Sequence, residues 1–224
     1  MAPMAERERV CSEGKTYSHF VKKAITGTWE DLLKSFNEKL DALAKHQYIW
    51  IHQVEQCRAL KNSLHEAVVH MDFYENYACK LNVEVQSFHF GGSRKQATVH
   101  TCMVYTAGKS QAYATISDSL RHDERAVWGH LKPVLDEVLS NTGITTVHFM
   151  SDGPLTQYRN QNNFYLMCTM PFLRGIKELT RNFSEKSHGK GAPDGIGGSV
   201  KRGADAFVLQ GSDIQQPQDL FSFL

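Results

Sequence analysis

Apolar residues recur in alternating steps of three and four from Leu33 through Phe36, Leu40 and Leu43 to Trp50, Val54 and Cys57, with Gln47 as one polar interruption. That spacing keeps a single stripe on one side of an α-helix for about four heptads, and Thr28 with Asp31 three residues later has the form of an N-terminal cap. The pattern predicts a long helix over 28–60, either packed on the neighbouring domain or paired with a second copy as a homodimer. Residues 1–27 are polar and mixed, hold no sustained period, and predict a loose arm. Past Asn62-Ser63 the period shortens. Ala67–Phe73, Gln96–Tyr105 and Gln111–Ser117 are dense in β-favouring residues, the last two around a short turn at 107–110, and predict a three-stranded antiparallel meander. Residues 80–90 alternate weakly and close at Gly91-Gly92.

Helical spacing returns at Val127, Leu131, Val134, Leu135 and Val138, behind Asp123 as N-cap and ahead of a stop at 141–143. Thr145–Met150 reads as a strand that delivers Asp152. A helix across Tyr158–Met170, ended by Pro171, a strand within Ile176–Phe183 and a helix over Asp194–Ala206 complete the pattern. Gly197-Gly198 weaken that last helix by roughly 1 kcal/mol per glycine relative to alanine, so they predict close packing or a phosphate brought near the main chain. The tail from Gly211 is predicted loose. The resulting plan is an arm at 1–27, a helical segment at 28–64, an α/β domain at 65–207 and a tail at 208–224.

Composition narrows the class. Hydrophobic content of 41% and charged content of 22% are those of a globular protein, and no apolar run reaches the roughly 20 residues of a membrane span, so no membrane partner is expected. Met1–Arg9 is charged without an apolar stretch, which predicts no secretory signal and an intracellular protein. Five scattered cysteines without a C-x-x-C pair predict neither a disulfide framework nor a zinc finger. A net charge of +1 does not announce nucleic acid, yet Lys186, Lys190, Lys201 and Arg202 face the single acid Asp194 within 186–202.

Two aspartates carry the chemistry: Asp72, in His70-Met-Asp-Phe73, and Asp152, in Ser151-Asp-Gly153, each end an apolar β run. A third, Asp194, opens the last helix inside a glycine-rich stretch from His188 to Arg202. Divalent cations take a few oxygen ligands and complete their shell with water and substrate phosphate, so acids gathered from distant positions suit a two-metal site. The element order puts the two strand-ending aspartates at the ends of the first and fourth strands, which a parallel crossover makes neighbours at one edge.

The segments Asp72-Phe-Tyr-Glu-Asn-Tyr77, Ser151-Asp-Gly153 with Gln157-Tyr158 and Asn160, and His188-Gly-Lys-Gly191 continuing through Asp194, Gly197-Gly198 and Lys201-Arg202 resemble the DDE/DDD transposase and integrase superfamily. More narrowly, they are similar to a group of transposon-derived animal proteins. Over about Ala67–Ala206 this resemblance implies an α/β, RNase H-like mixed five-stranded sheet flanked by helices, with the long helix N-terminal to it. It implies catalysis and metal binding by Asp72, Asp152 and Asp194, with Glu185 as the alternative third acid, and Mg2+ or Mn2+ as cofactor. His188, Lys190, Gln157, Tyr158, Asn160, Lys201 and Arg202 become candidates for phosphate or nucleic-acid contact. DNA is the implied partner and the nucleus the implied compartment. No zinc finger or helix-turn-helix precedes Ala67, which is expected of a piece of a longer element or of a domesticated, catalytically idle DNA-binding or protein-interaction module. RNA cleavage shares the same metal chemistry and is the further alternative.

Overall fold

The computed structural model describes residues 4–12, 15–23, 26–83, 94–140, 143–184 and 191–224. The chain divides into two compact units, Met1–Tyr48 and Ile49–Leu224. In the first, the expected loose arm is instead an antiparallel hairpin, β1 (Met4–Ser12) against β2 (Lys15–Lys23), in unbroken register from Met4↔Lys23 to Ser12↔Lys15. Paired strands satisfy each other's main-chain groups without needing the apolar periodicity that these residues lack. Helix α1 (Trp29–Leu60) follows. Its start is fixed by reciprocal bonds: the Asp31 amide donates to Thr28 Oγ1 at 3.2 Å, and the Thr28 amide donates to Asp31 Oδ2 at 2.9 Å.

The second unit is built on a mixed sheet of six strands, one more than expected, with β3 (Glu66–Phe73), β4 (Tyr77–Ala78), β5 (Gln96–Thr106), β6 (Lys109–Ser117), β7 (Thr146–Ser151) and β8 (Glu178–Phe183). Across the sheet the order is β6-β5-β3-β7-β8, and the added strand β4 pairs with the start of β5. β5 is antiparallel to β3 and β6, while β3, β7 and β8 run parallel. The meander is therefore present, and β7 enters beside β3 by a crossover through helix α2 (Glu124–Leu139). Asp123 caps α2 as its position suggested, accepting from the Ala126 amide at 3.0 Å.

Both faces of the sheet are covered, which explains why β5 is buried along most of its length. On one face Val69, Met71, Cys102 and Val104 pack with Val127, Leu131, Val134 and Leu135 of α2. On the other, Tyr77 and Val99 pack with Val200, Ala204 and Val208 of helix α4 (Ala192–Leu209). The helix expected across Tyr158–Met170 contracts to α3 (Gln161–Met167), followed by a 3-10 turn at Phe172–Arg174. The tail is not loose. Ile214 bridges Lys80, and helix α5 (Pro217–Phe223) drives Leu220 into the second core, its first turn held by Asp219 accepting the Gln215 and Gln216 amides at 2.9 and 3.2 Å. Most of the weak alternation at 80–90 lies outside the described residues. Among those described, no helix is long and apolar enough to cross a membrane.

Candidate functional site

Alternation along β3 sends His70, Asp72 and Tyr74 to one face, the face away from the α2 core. Parallel pairing of β3 with β7 runs from Glu66↔Thr146 to His70↔Met150, and the same register carried two residues further sets Asp72 opposite Asp152. The two aspartates thus come from neighbouring strands at their carboxyl ends.

Helix α4 closes on this row through its glycines. A Cβ on Gly191 would stand 2.7 Å from His70 Cε1 and would require that ring to shift, and one on Gly197 would stand 2.3 Å from the Tyr74 ring and 2.8 Å from its Cβ, so Tyr74 in this position excludes a side chain there. Gly197 is there for close packing. Asp194 lies between these two contacts in the chain, in the first turn of α4, and its charge reaches Asp72 and Asp152. Asp194 Oδ2 accepts the Gly191 amide at 3.1 Å, the bond of an acid at a helix N-terminus.

Asp72 and Asp152 both feel the acids around them. Burial first, then the charges of Asp152 and Asp194, push the Asp72 carboxyl up to about 7. Asp152 is raised by burial and by Asp194, against the pull of Arg181. Asp152 Oδ1 is buried with no hydrogen-bond partner. His70 is pushed down to about 4 by burial and by Lys61, with Asp194 opposing, and is a neutral ring at physiological pH.

Arg181 is the main residue that sequence reasoning missed. It sits between Leu179 and Phe183 on the inward side of β8, its guanidinium 5.3 Å from the Tyr158 ring and 4.5 Å from the Phe183 ring, and it donates to Ser151 Oγ. Burial lowers it to about 10, while Tyr158 and Asp152 favour its charge. A lone arginine at an inward position of an alternating strand was the available signal. Three histidines also converge on Phe73: its ring stacks on His122 at 4.4 Å and meets His100 and His130 edge-on at 4.8 and 5.7 Å. His100 Nδ1 is buried without a partner.

The candidate nucleic-acid contacts separate. Tyr158 is 0% exposed within the core under α2, its hydroxyl 3.3 Å from His100 Nε2, so no strand reaches it in this arrangement. Asn160 caps α3, accepting the Asn163 amide at 2.8 Å and donating to the Leu155 carbonyl at 3.0 Å. Lys201 is paired with Glu75, and Arg202 donates to Ser199 Oγ at 3.2 Å along its own helix. Gln157 is half-buried in the loop after Asp152. Glu185, His188 and Lys190 lie outside the described residues.

The donor set is of hard carboxylate oxygens, suited to Mg2+ or Mn2+, and the partnerless Asp152 Oδ1 beside Asp72 is where such an ion would find ligands. The fit extends to these two acids. Among the described residues no three His, Cys, Asp or Glu side chains are close enough to hold one ion. No curated protein matches the chain. The model of a domain of unknown function, DUF8701, matches residues 53–224, and the chain belongs to that family.

Proposed function

We propose that this protein is a transposase-derived, metal-dependent DNA nuclease or strand transferase with an RNase H-like core. The observation that carries the reading is the placement of Asp72 and Asp152 side by side at the carboxyl ends of neighbouring parallel strands, with Asp194 raising the affinity of both for a proton. The strand order, the helix between β6 and β7 and the closing helix after β8 support it. DNA is the proposed partner and the nucleus the proposed compartment.

In this reading Asp72 and Asp152 hold the cation, with Asp194 or Glu185 as the third acid. Bound Mg2+ or Mn2+ would activate a water or 3'-hydroxyl and offset charge at the phosphate during in-line attack. The chain's own groups set the conditions. Asp72, with a carboxyl raised to about 7, must lose its proton to become a ligand, so cation affinity rises as pH passes upward through that value. Arg181 favours the ionised form of Asp152 against its burial, and Asp194 accepts the Gly191 amide through only one of its two oxygens, Oδ2. No protein nucleophile is needed.

A second reading has its own support. Asp194 is engaged as a helix cap and no three-ligand set is closed among the described residues, as expected of a domesticated module that binds DNA or protein without turnover.

Titration with Mn2+, followed by paramagnetic resonance, and nicking of supercoiled plasmid test the proposal together. The expected result is Mn2+ binding lost in both Asp72→Asn and Asp152→Asn, with nicking in Mg2+ or Mn2+ and little in Ca2+, whose longer and looser coordination holds the reacting oxygens less well. Absence of Mn2+ binding by the wild-type chain sinks the nuclease reading. DNA binding that persists in EDTA, with no nicking when Mg2+ or Mn2+ is supplied, establishes the module, and cleavage of an RNA duplex in preference to DNA reassigns the substrate.

A further inference from the structure

Helix α1 carries one apolar stripe whose two ends have different fates. Toward the C-terminus it is seated: Gln53 Nε2 donates to the Phe183 carbonyl at 2.8 Å and Cys57 Sγ lies 3.4 Å from Met150 Sδ. Toward the N-terminus, Trp29, Leu32, Leu33, Phe36, Leu40 and Leu43 are 49% to 83% exposed, and no residue of the whole helix is buried.

We propose that residues 29–43 of α1 pair with the same segment of a second copy of this chain. Leu33, Phe36, Leu40 and Leu43 advance by three, four and three residues, the step that keeps a seam turned toward a partner helix, and Trp29 and Leu32 extend it one turn toward the cap. The segment is about 21 Å long at 1.5 Å per residue, and its six large side chains expose on the order of 800 Å2, the area each partner buries in a stable pair. A monomer rarely leaves so much contiguous apolar surface in water.

Charge argues against other occupants. Over 29–48 Glu30, Asp31, Glu38 and Asp41 are set against Lys34, Lys39 and Lys45, so the helix lacks the basic face that an anionic lipid surface selects and the one-sided field that would draw a strongly charged protein. The seam repeats itself, and a copy of itself supplies the matching step. This pairing does not depend on the nuclease reading.

Sedimentation equilibrium of the full chain over a wide concentration range is the test. The wild type is expected to reach dimer mass and the Leu33→Lys/Leu40→Lys variant to stay at monomer mass with unchanged circular dichroism and thermal midpoint, because both leucines are exposed in the single chain. The milder Leu33→Ala/Leu40→Ala variant keeps helix propensity and should weaken association at least about tenfold. A wild type that remains monomeric throughout, or an alanine variant that associates as tightly as wild type, overturns the proposal.

Discussion

At the carboxyl end of the sheet Asp72, Asp152 and Arg181 are drawn out of water, while on the first half of helix α1 six large apolar side chains are left in it. Both regions invert the ordinary partition of polar and apolar groups, in contrast to the well-filled cores under α2 and α4. The difference is in kind. Charge crowding costs free energy that a cation can return, and the effect is steep over short distances. Exposed apolar area costs nothing to the single chain's fold and is recovered only by association.

The largest expected effect comes from relieving the charge crowding. A carboxyl raised from 3.8 to about 7 on folding contributes its stability fully below 3.8 and loses it as pH rises through 7, so Asp72 should lower stability across that window by up to about 4 kcal/mol. Asp72→Asn should therefore be more stable than wild type at pH 8, by about 1 to 4 kcal/mol, with a flatter pH profile in urea unfolding. If that variant proves less stable than wild type at pH 8, the comparison breaks at its charged side.

Arg181→Met tests the opposite sign. It strips Asp152 of the charge that favours its ionised form and Ser151 of a donor, with an expected loss of about 2 to 3 kcal/mol. That loss should shrink as pH falls and Asp152 takes up a proton. A loss independent of pH would make Arg181 a packing residue over Tyr158 and Phe183.

The approach of α4 to the acids can be sharpened with two glycines in the same helix. Gly197→Ala forces a methyl into the Tyr74 ring and should cost about 1 to 3 kcal/mol, with Mn2+ affinity reduced as Asp194 shifts. Gly195→Ala meets nothing within 4 Å and should gain about 0.5 to 1 kcal/mol. Equal effects from the two would separate the acid site from the helix packing. The smallest effect is expected on α1, where Leu40→Lys should change the stability of the isolated chain by no more than about 0.5 kcal/mol.

Much of the chain from Thr28 onward was legible because its signals are local. Thr28, Asp31 and Asp123 announce helix starts by bonds within one turn, the stripe from Val127 to Val138 is read directly from its spacing, and the β runs ending at Asp72 and near Asp152 stand out by composition. Even Gly197 signalled a close approach, though not that Tyr74 was the object. The hairpin over 4–23 was not legible: its strands carry charges where a half-buried strand would carry apolar residues, so pairing rather than pattern defines it. Helix α5 is one helical run of seven residues, too short for a period, and depends on Leu220 finding a pocket made by distant segments.

The amino-acid sequence by itself determined where most elements begin and end and which acids stand at strand ends, since caps, turns and periodicity act over a few neighbouring residues. Only the tertiary structure decided what those acids experience. It set Asp72 opposite Asp152 through the β3–β7 register, brought Arg181 to Asp152 from β8, turned Tyr158 and Asn160 into core residue and helix cap, and engaged Asp194 with Gly191. Burial and charge coupling depend on distances between residues far apart in the chain, and no local pattern encodes those distances.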